Sequence, residues 1–401
     1  MVLNFLTVHS LEENSLLAAQ DICARLHHHA MQSPSLLLVY FTQAHDAAVL
    51  REQLGRQFPT TPLLGCSSCG GVMTEMGHHV RQEHGLAVAA FYDEKGAYGV
   101  AGAEGELVDV RLLLRRAMLE CGRPGELPQL VLVHASPGQE EEVLASIEAE
   151  FGHSVPVVGG SAADNKVSGD WQLCWSEGQS KLGVALAVLY PDCQLAFQFH
   201  SGYVPAESHG AITSCDGREV LTIENEPAAE VYARWCGRQQ SWPVGPILHE
   251  STLTPLARQV GTLDGVPYYK LSHPEAVTER GGLRLFTDVT VGERLWLMYS
   301  SQEGLLQRSL SAIRIDPEYG VDARLQPVGA LIIFCAGCRL ALGDMLYQFV
   351  EQSQARLGQI PFITPFTFGE QGRLPHGELA HGNLMVSSVI FLTNDTGQAT
   401  R

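Results

Sequence analysis

Short unbroken apolar runs alternate with amphipathic stretches along the first half of the chain. Leu36 to Phe41 is wholly apolar and gives way to polar residues at Thr42. Ala47 to Leu54 then spaces its apolar residues three to four apart among helix formers, and a second apolar run reaches Gly65-Cys66-Ser67. A short apolar run ending at a turn signal predicts a buried strand, and the three-to-four spacing predicts a helix with one buried face. The same order recurs from Leu130, through a helical stretch at Glu140 to Ile147, to Gly159-Gly160-Ser161. The two copies align without a gap. Val39 falls on Val133, Val49 on Val143, Pro62 on Pro156, Gly65 on Gly159 and Ser67 on Ser161, each pair 94 apart as 39 and 133 show. A further apolar run follows each copy, from Gly85 and from Gly183. The unit is strand, helix, strand, glycine turn, strand. Two equivalent glycine loops at equivalent strand ends suit a pseudo-symmetric cleft.

The second half has a different pattern. Phe197 to Gly202 reads as a strand and turn, and Pro205 to Gly210 as a joint between domains. Asp216-Gly217 is a turn signal, followed by a strand from Arg218 to Glu224 and a helix between Pro227 and Gly237. Pro243 to Arg258 is expected to be extended or loop, and Asp264-Gly265 to turn a hairpin. Leu295 to Tyr299, Val328 to Phe334 and Asn383 to Leu392 are expected as buried strands, Leu340 to Leu357 as one helix, and Asn394 to Arg401 as a frayed tail. The expected fold is α/β: a duplicated strand-helix-strand N-terminal half with layered sheets and helices, packed against an α+β C-terminal half. The expected domains are residues 1–205 and 206–401.

Composition narrows the function. The chain has 401 residues, and a single domain rarely exceeds about 250. It is 45% hydrophobic and 17% charged, which fits a large core. The net charge of −18 argues against nucleic acid or an anionic membrane as partner, because phosphate binding needs a basic surface. No apolar run approaches the roughly 20 residues of a membrane span, and Met1 to Arg25 lacks the pattern of a secretory leader, so a soluble cytoplasmic chain is expected. The cysteines are then expected to stay reduced. Cys66/Cys69 and Cys335/Cys338 have CxxC spacing, but more than 260 residues separate the pairs, which favours buried thiols over a four-cysteine zinc site. Gly70 and Arg339 follow the two pairs, so the CxxCH of covalent haem is absent. Cys66, at its glycine turn, is a candidate nucleophile beside the backbone amides of Ser67 and Ser68; a structural thiol is the competing reading, and the chain is expected not to be an enzyme.

Several motifs occur in a telling order: PLLGCSSCGG, PVVGGSAADN, GREVLTIENEPAAEVYARWCG, IIFCAGCRLALG, FTFGEQG and HGNLMVSSVIFL. Together they resemble the FIST sensory module, with a FIST N-terminal domain over 1–205 and a FIST C-terminal domain over 206–401. In one departure, Cys338 stands where the family's arginine is expected and Arg339 follows. A histidine-rich FIST chain without a fused output domain is similar to the bacterial nitric-oxide-sensing haemoproteins (NosP). That resemblance implies haem b, nitric oxide as ligand, and signalling through a separate histidine kinase or cyclic-di-GMP enzyme of the kind that governs biofilm formation. A homo-oligomer is compatible with it.

Haem b needs an apolar slot, a neutral imidazole on iron and polar partners for its propionates. His381 precedes an apolar strand and follows the aromatic segment holding Phe362, Phe366 and Phe368, so it is the first candidate ligand; His376 competes with it. Glu370 is a candidate to orient a histidine or a ligand amine, and Arg339 and Arg373 are candidates to pair with propionates. His27, His28 and His29 are expected on a solvated helix face, and His78 and His79 in a surface loop. The alternative function is a haem-free module that binds a small metabolite. The ligand cleft is expected between the halves, beside the glycine loops and the aromatic segment.

Overall fold

The computed structural model describes residues 3–29, 32–263, 265–313, 324–375 and 377–394. The duplicated unit is present as the sequence spacing requires. In the first copy, Leu36–Phe41 runs parallel to Leu63–Ser67, and the helix Ala47–Gln57 crosses between them. In the second, Leu130–Ala135 runs parallel to Val157–Gly160 across the helix Glu140–Phe151. The first of these helices starts at Asp46, whose carboxylate accepts the Ala48 and Val49 amides left without helical partners.

A third copy lies in the second half, where the sequence pattern had suggested only separate strands. Gln326–Cys335 runs parallel to Phe362–Thr367, with the helices Ala336–Leu342 and Leu346–Leu357 between them. Each copy adds an antiparallel neighbour and then an edge strand. Leu86–Tyr92 and Asn4–Ser10 complete the first, Gly183–Tyr190 and Ala97–Glu104 the second, and Met385–Thr393 and Gln194–Ser201 the third.

The fifth and sixth places in each sheet are filled by exchange. The hairpin Val72–Thr74/Gly77–His79 follows the first copy but pairs with Phe362–Thr367 of the third. Leu173–Trp175/Gly178–Ser180 follows the second copy and pairs with Leu63–Ser67 of the first. Glu370–Arg373/Leu379–Gly382 follows the third and pairs with Val157–Gly160 of the second. The result is three six-stranded sheets linked in a ring.

The inner faces of all three sheets share one core. Leu38 and Tyr40 come from the first sheet, Leu132 and Val158 from the second, and Ile333, Ile363 and Phe391 from the third. Phe5, Phe91 and Phe391 form an aromatic triangle across two of them, with centroids 4.8, 5.1 and 5.9 Å apart. Burying each such ring contributes about 1.5–3 kcal/mol. Helices cover the outer faces: Ser15–His29 and Ala47–Gln57 on the first sheet, Val110–Glu120 and Glu140–Phe151 on the second, and Gln302–Ser311 with Leu346–Leu357 on the third.

The described residues of 204–299 form a nine-stranded sheet with a core of Ile212, Val220, Tyr232, Leu256, Leu283 and Leu295, while Ala257, Leu271 and Met298 pack into the core of the third sheet. This inserted unit interrupts the third copy between its edge strand and its first parallel strand. Residues 205–210, read from sequence as a joint, lie within the strand Val204–Asp216. The helix expected over Leu340 to Leu357 is broken at Gly343, whose φ of 51° lies in the left-handed region, so a helical turn from Ala336 and a second helix from Leu346 replace it. His78 and His79 are on a strand rather than a surface loop: His79 is buried, stacks on His9 at 3.7 Å, and pairs with the Thr74 hydroxyl at 2.7 Å. His27, His28 and His29 end an exposed helix face. Among the described residues no helix is long and apolar enough to cross a membrane.

Candidate functional site

The three strand-end loops meet and close a ring of backbone hydrogen bonds. The Ala163 amide donates to the Ser67 carbonyl at 2.9 Å, Phe368 to Ser161 at 3.2 Å, and Cys69 to Phe366 at 2.9 Å. Each loop therefore donates to the strand end of another copy. The acceptors Ser67 and Ser161 are the equivalent serines that follow the two glycine turns, and Phe366 takes their place in the third copy.

Side chains then fix the loop of the second copy. The Asp164 carboxylate is fully buried and accepts the backbone amides of Lys166, Ser168, Gly169 and Asp170 at 2.8–3.1 Å. Asn165 ties two copies together: its Oδ1 accepts the Gly70 amide at 2.6 Å, while its own amide donates to the Gln43 side chain. Loops held this way make a rigid floor.

Above that floor is an apolar cavity of about 160 Å³. Cys69, Asp164, Cys335, Ala336, Leu340 and Phe368 line it from the three-sheet frame, and Leu248, Thr252, His273 and Phe286 from the inserted unit. His273 is buried, and burial pushes its imidazole down to about 4, so the ring there is neutral near pH 7. A more open cleft of about 300 Å³ adjoins, lined by His78, Arg339, Leu340, Asp344, Leu346, Tyr347 and Val350. Leu340 belongs to both walls.

Arg339 is the cation of this region. Its guanidinium lies against the Gly70 backbone, where an added Cβ would sit 2.6 Å from Cζ, and 5.4 Å from the Phe366 ring centre. Burial lowers its pKa, while the neighbouring Cys69 acts in the opposite sense. That thiol cannot neutralise it, because burial pushes Cys69 up to about 11 despite the guanidinium. The Arg339 Nε is buried without a hydrogen-bond partner, and among the described residues no carboxylate pairs with the side chain.

The other residues singled out from sequence are dispersed. Phe362 and Phe366 are fully buried in the core of the third sheet. Of the three phenylalanines only Phe368 reaches the cavity. Glu370 is fully buried; the Thr367 hydroxyl and the Met385 amide donate to it, and burial pushes its carboxyl well up. Arg373 is half-buried at the end of the strand Glu370–Arg373. Cys66 is fully buried and its thiol is pushed far up by burial, a poor state for a nucleophile. His376 lies outside the described residues.

His381 is almost wholly buried, at 2% exposure, on the strand Leu379–Gly382. Its Nδ1 donates to Glu141 at 3.1 Å. Burial pushes the Glu141 carboxyl up, but the His381 hydrogen bond and the Arg218 charge outweigh it and hold the group down at about 2. His381, Glu140 and Glu141 bring their ligand atoms within 4.8 Å of one another, but the Arg218 guanidinium already supplies the cation there, 3.3 Å from Glu140 and 2.9 Å from Glu141. The His381 Nε2 is buried without a partner and faces Gly369, where an added Cβ would lie only 2.3 Å away. Main chain thus stands where iron and a macrocycle would go, and His381 lines neither cavity described above. The cavity beside Phe368 is also small for haem: a cavity on the order of 150 Å³ holds benzene. These residues do not fit haem b on His381.

Sequence reasoning missed Asn165, Leu340, His273 and Phe286. The Ala162-Ala163-Asp164-Asn165 run after the second glycine turn was a usable signal, since Asp and Asn cap turns. The residues from the inserted unit had none.

Comparison with known proteins gives two family matches. The FIST N domain matches residues 35–226 and the FIST C domain residues 228–373. No curated protein matches the chain. Among solved structures, a cyanuric acid hydrolase from A. caulinodans is 9% identical, with 97% of this chain and 99% of that one covered and a TM-score of 0.35. PurL of T. maritima complexed with ADP is 10% identical, with 98% and 72% covered and a TM-score of 0.23. Similarities this distant carry nothing about activity. The two domain matches, in order and nearly end to end, place the chain in the FIST-domain family of sensory proteins.

Proposed function

We propose that this chain is a sensor for a small, haem-free ligand bound in the cavity at the three-loop junction. One observation carries the reading: the cavity takes its walls from both the three-sheet frame and the inserted unit. A ligand there touches residues of both units, so its binding energy favours one relative arrangement of them over others. A surface that spans the two units then changes, and a separate partner reads it. A histidine kinase or a cyclic-di-GMP enzyme is the partner class in this proposal.

The test is to denature protein purified from cells, identify any stoichiometric small molecule by mass spectrometry, and titrate the apo-protein with haemin. The expected result is a released or rebindable organic ligand and no saturable Soret band. A stoichiometric Soret band that shifts with nitric oxide would overturn the haem-free reading in favour of a haem-based nitric oxide sensor.

A further inference from the structure

Resting on the small-ligand reading above, we infer that the ligand is a monocarboxylate with an apolar, ring-sized body. Its carboxylate sits on the Arg339 guanidinium and its body passes Leu340 into the inner cavity.

The argument starts from charge. A partly buried guanidinium is ordinarily found beside a carboxylate, since it presents paired donors in a fixed fork. Arg339 has no carboxylate among the described residues. Asp344 lines the same cleft but is exposed and forms no ion pair with it there. Two neighbouring titratable groups, His78 and Cys69, are neutral. Burial first, and then the Arg339 charge, pushes His78 down to about 4, and its Nε2 is occupied by the Gly70 carbonyl at 2.9 Å. Cys69 is held as the thiol. A cation with no carboxylate among the described residues, and no second Arg or Lys among the residues that line the cleft, matches a single planar negative charge better than a dianionic phosphate.

Size and polarity fix the other end. The inner cavity is about 160 Å³ and carries Phe286, Phe368, Ala336, Leu248 and Leu340 on its walls. A cavity of roughly this size accepts a benzene ring. Leu340 stands between the cavity and the cleft and is 59% exposed, so it can turn aside without opening the core. The cavity and Arg339 are adjacent along one helix, Ala336–Leu342, so a linker of a few atoms joins the two subsites.

The experiment is calorimetric titration of the full chain with 3-phenylpropanoate, with its neutral isostere 3-phenylpropanamide, and with inorganic phosphate. Arg339→Gln and Arg339→Lys are titrated alongside, with thermal melting as the check on folding. Wild-type protein is expected to bind the carboxylate at least about tenfold more tightly than the amide, with no saturable phosphate binding. Arg339→Gln should lose that preference and leave amide binding unchanged, and Arg339→Lys should fall between. Equal affinity for carboxylate and amide would overturn the monocarboxylate inference while leaving a small-ligand site in place. Phosphate competition at equal strength would overturn it in favour of a general oxyanion site. No binding of either ring compound would overturn it as to ligand class, while the molecule released from purified protein judges the small-ligand reading separately. The comparison of the two ring compounds on wild-type protein stands even if a variant fails to fold.

Discussion

The Tyr40 hydroxyl donates to His134 Nε2 at 3.0 Å, and these two residues occupy the same position in successive copies of one unit, 94 residues apart. Their rings meet edge to face, with centroids 5.4 Å apart, in the core shared by the three sheets. The other ring nitrogen of His134 donates to the Gly160 carbonyl at 2.8 Å, which fixes the tautomer. Tyr40→Phe therefore leaves a buried acceptor without a donor. The expected cost is about 1–3 kcal/mol in urea unfolding. Tyr40→Phe combined with His134→Leu should cost less than the two single losses added together. Strict additivity would mean that the pair is not coupled.

Acid should destabilise the fold through its buried histidines. Burial pushes His134 and His273 down to about 4, whereas in the unfolded chain an imidazole titrates near 6.5. Between those values the unfolded chain binds more protons, so stability is full above about pH 6.5 and is lost as pH falls toward 4. The slope is at most about 1.4 kcal/mol per pH unit for each group. Glu370, whose carboxyl is pushed up by burial, acts with the opposite sign above its ordinary range. The clean comparison is therefore wild type against His273→Gln, by urea unfolding from pH 7.5 to 5.0. The wild-type slope should be the steeper, and equal slopes would remove His273 as a contributor.

The paired glycines answer to backbone contact. An added Cβ at Gly65 would sit 1.8 Å from the Val39 carbonyl oxygen, and one at Gly159 would sit 2.1 Å from that of Val133. Main chain cannot step aside as a side chain can. Gly65→Ala and Gly159→Ala should each cost more than about 4 kcal/mol, seen as insoluble expression or a large fall in melting temperature. Gly55 is the contrast: it lies on the helix Ala47–Gln57 with open space around it, so Gly55→Ala should gain about 0.5–1 kcal/mol. Wild-type stability in Gly65→Ala would show that the parallel pair is looser than described.

Arg218 holds the inserted unit to the frame. It reaches from the inserted unit to Glu140 and Glu141 on a frame helix, and pairs with Asp288 at 2.7 Å within its own unit. Arg218→Met leaves the buried Glu140 without its cation, although the Ser161 hydroxyl and the Gly138 amide still donate to it. The expected loss is about 2–3 kcal/mol, below that of a fully buried pair because 24% of the arginine side chain is exposed. Hydrogen exchange should quicken in residues 283–288 while the strands of the central core stay protected. Unchanged exchange there would assign the seam's strength to apolar contacts instead.

What could be read from sequence was whatever repeats with constant spacing. The first two copies show themselves because Gly65 and Gly159 sit at one offset, and the same backbone clash forbids a side chain at both. The third copy is concealed. Its second strand, Phe362–Thr367, carries no glycine, its crossover is a pair of helices, and its edge strand Gln194–Ser201 lies on the far side of the inserted unit. The exchanged hairpins are three or four residues per strand and pair with distant segments, which local periodicity cannot detect. The site was half legible for the same reason. The strand ends around Cys69 and Phe368 stood out, whereas His273 and Phe286 reach the cavity from a unit whose position no linear pattern encodes. His381 illustrates the limit of adjacency. It follows the aromatic segment in the chain, yet its free ring nitrogen meets the main chain of Gly369.

The ring of exchanged hairpins also sets a timetable for the nascent chain. When Val72–His79 leaves the ribosome, the strand it belongs beside, Phe362–Thr367, has not yet been made. The first sheet waits for Leu173–Trp175, and the second waits for Glu370–Arg373. The first sheet has all its strands once Ser180 is out, but the second and third cannot close until translation is nearly complete, so their unpaired strand edges stay open for most of synthesis. A ribosome stalled between residues 180 and 370 would hold a chain with one sheet complete and two left open, and its survival in the cell depends on whatever shields those edges until the final strands arrive.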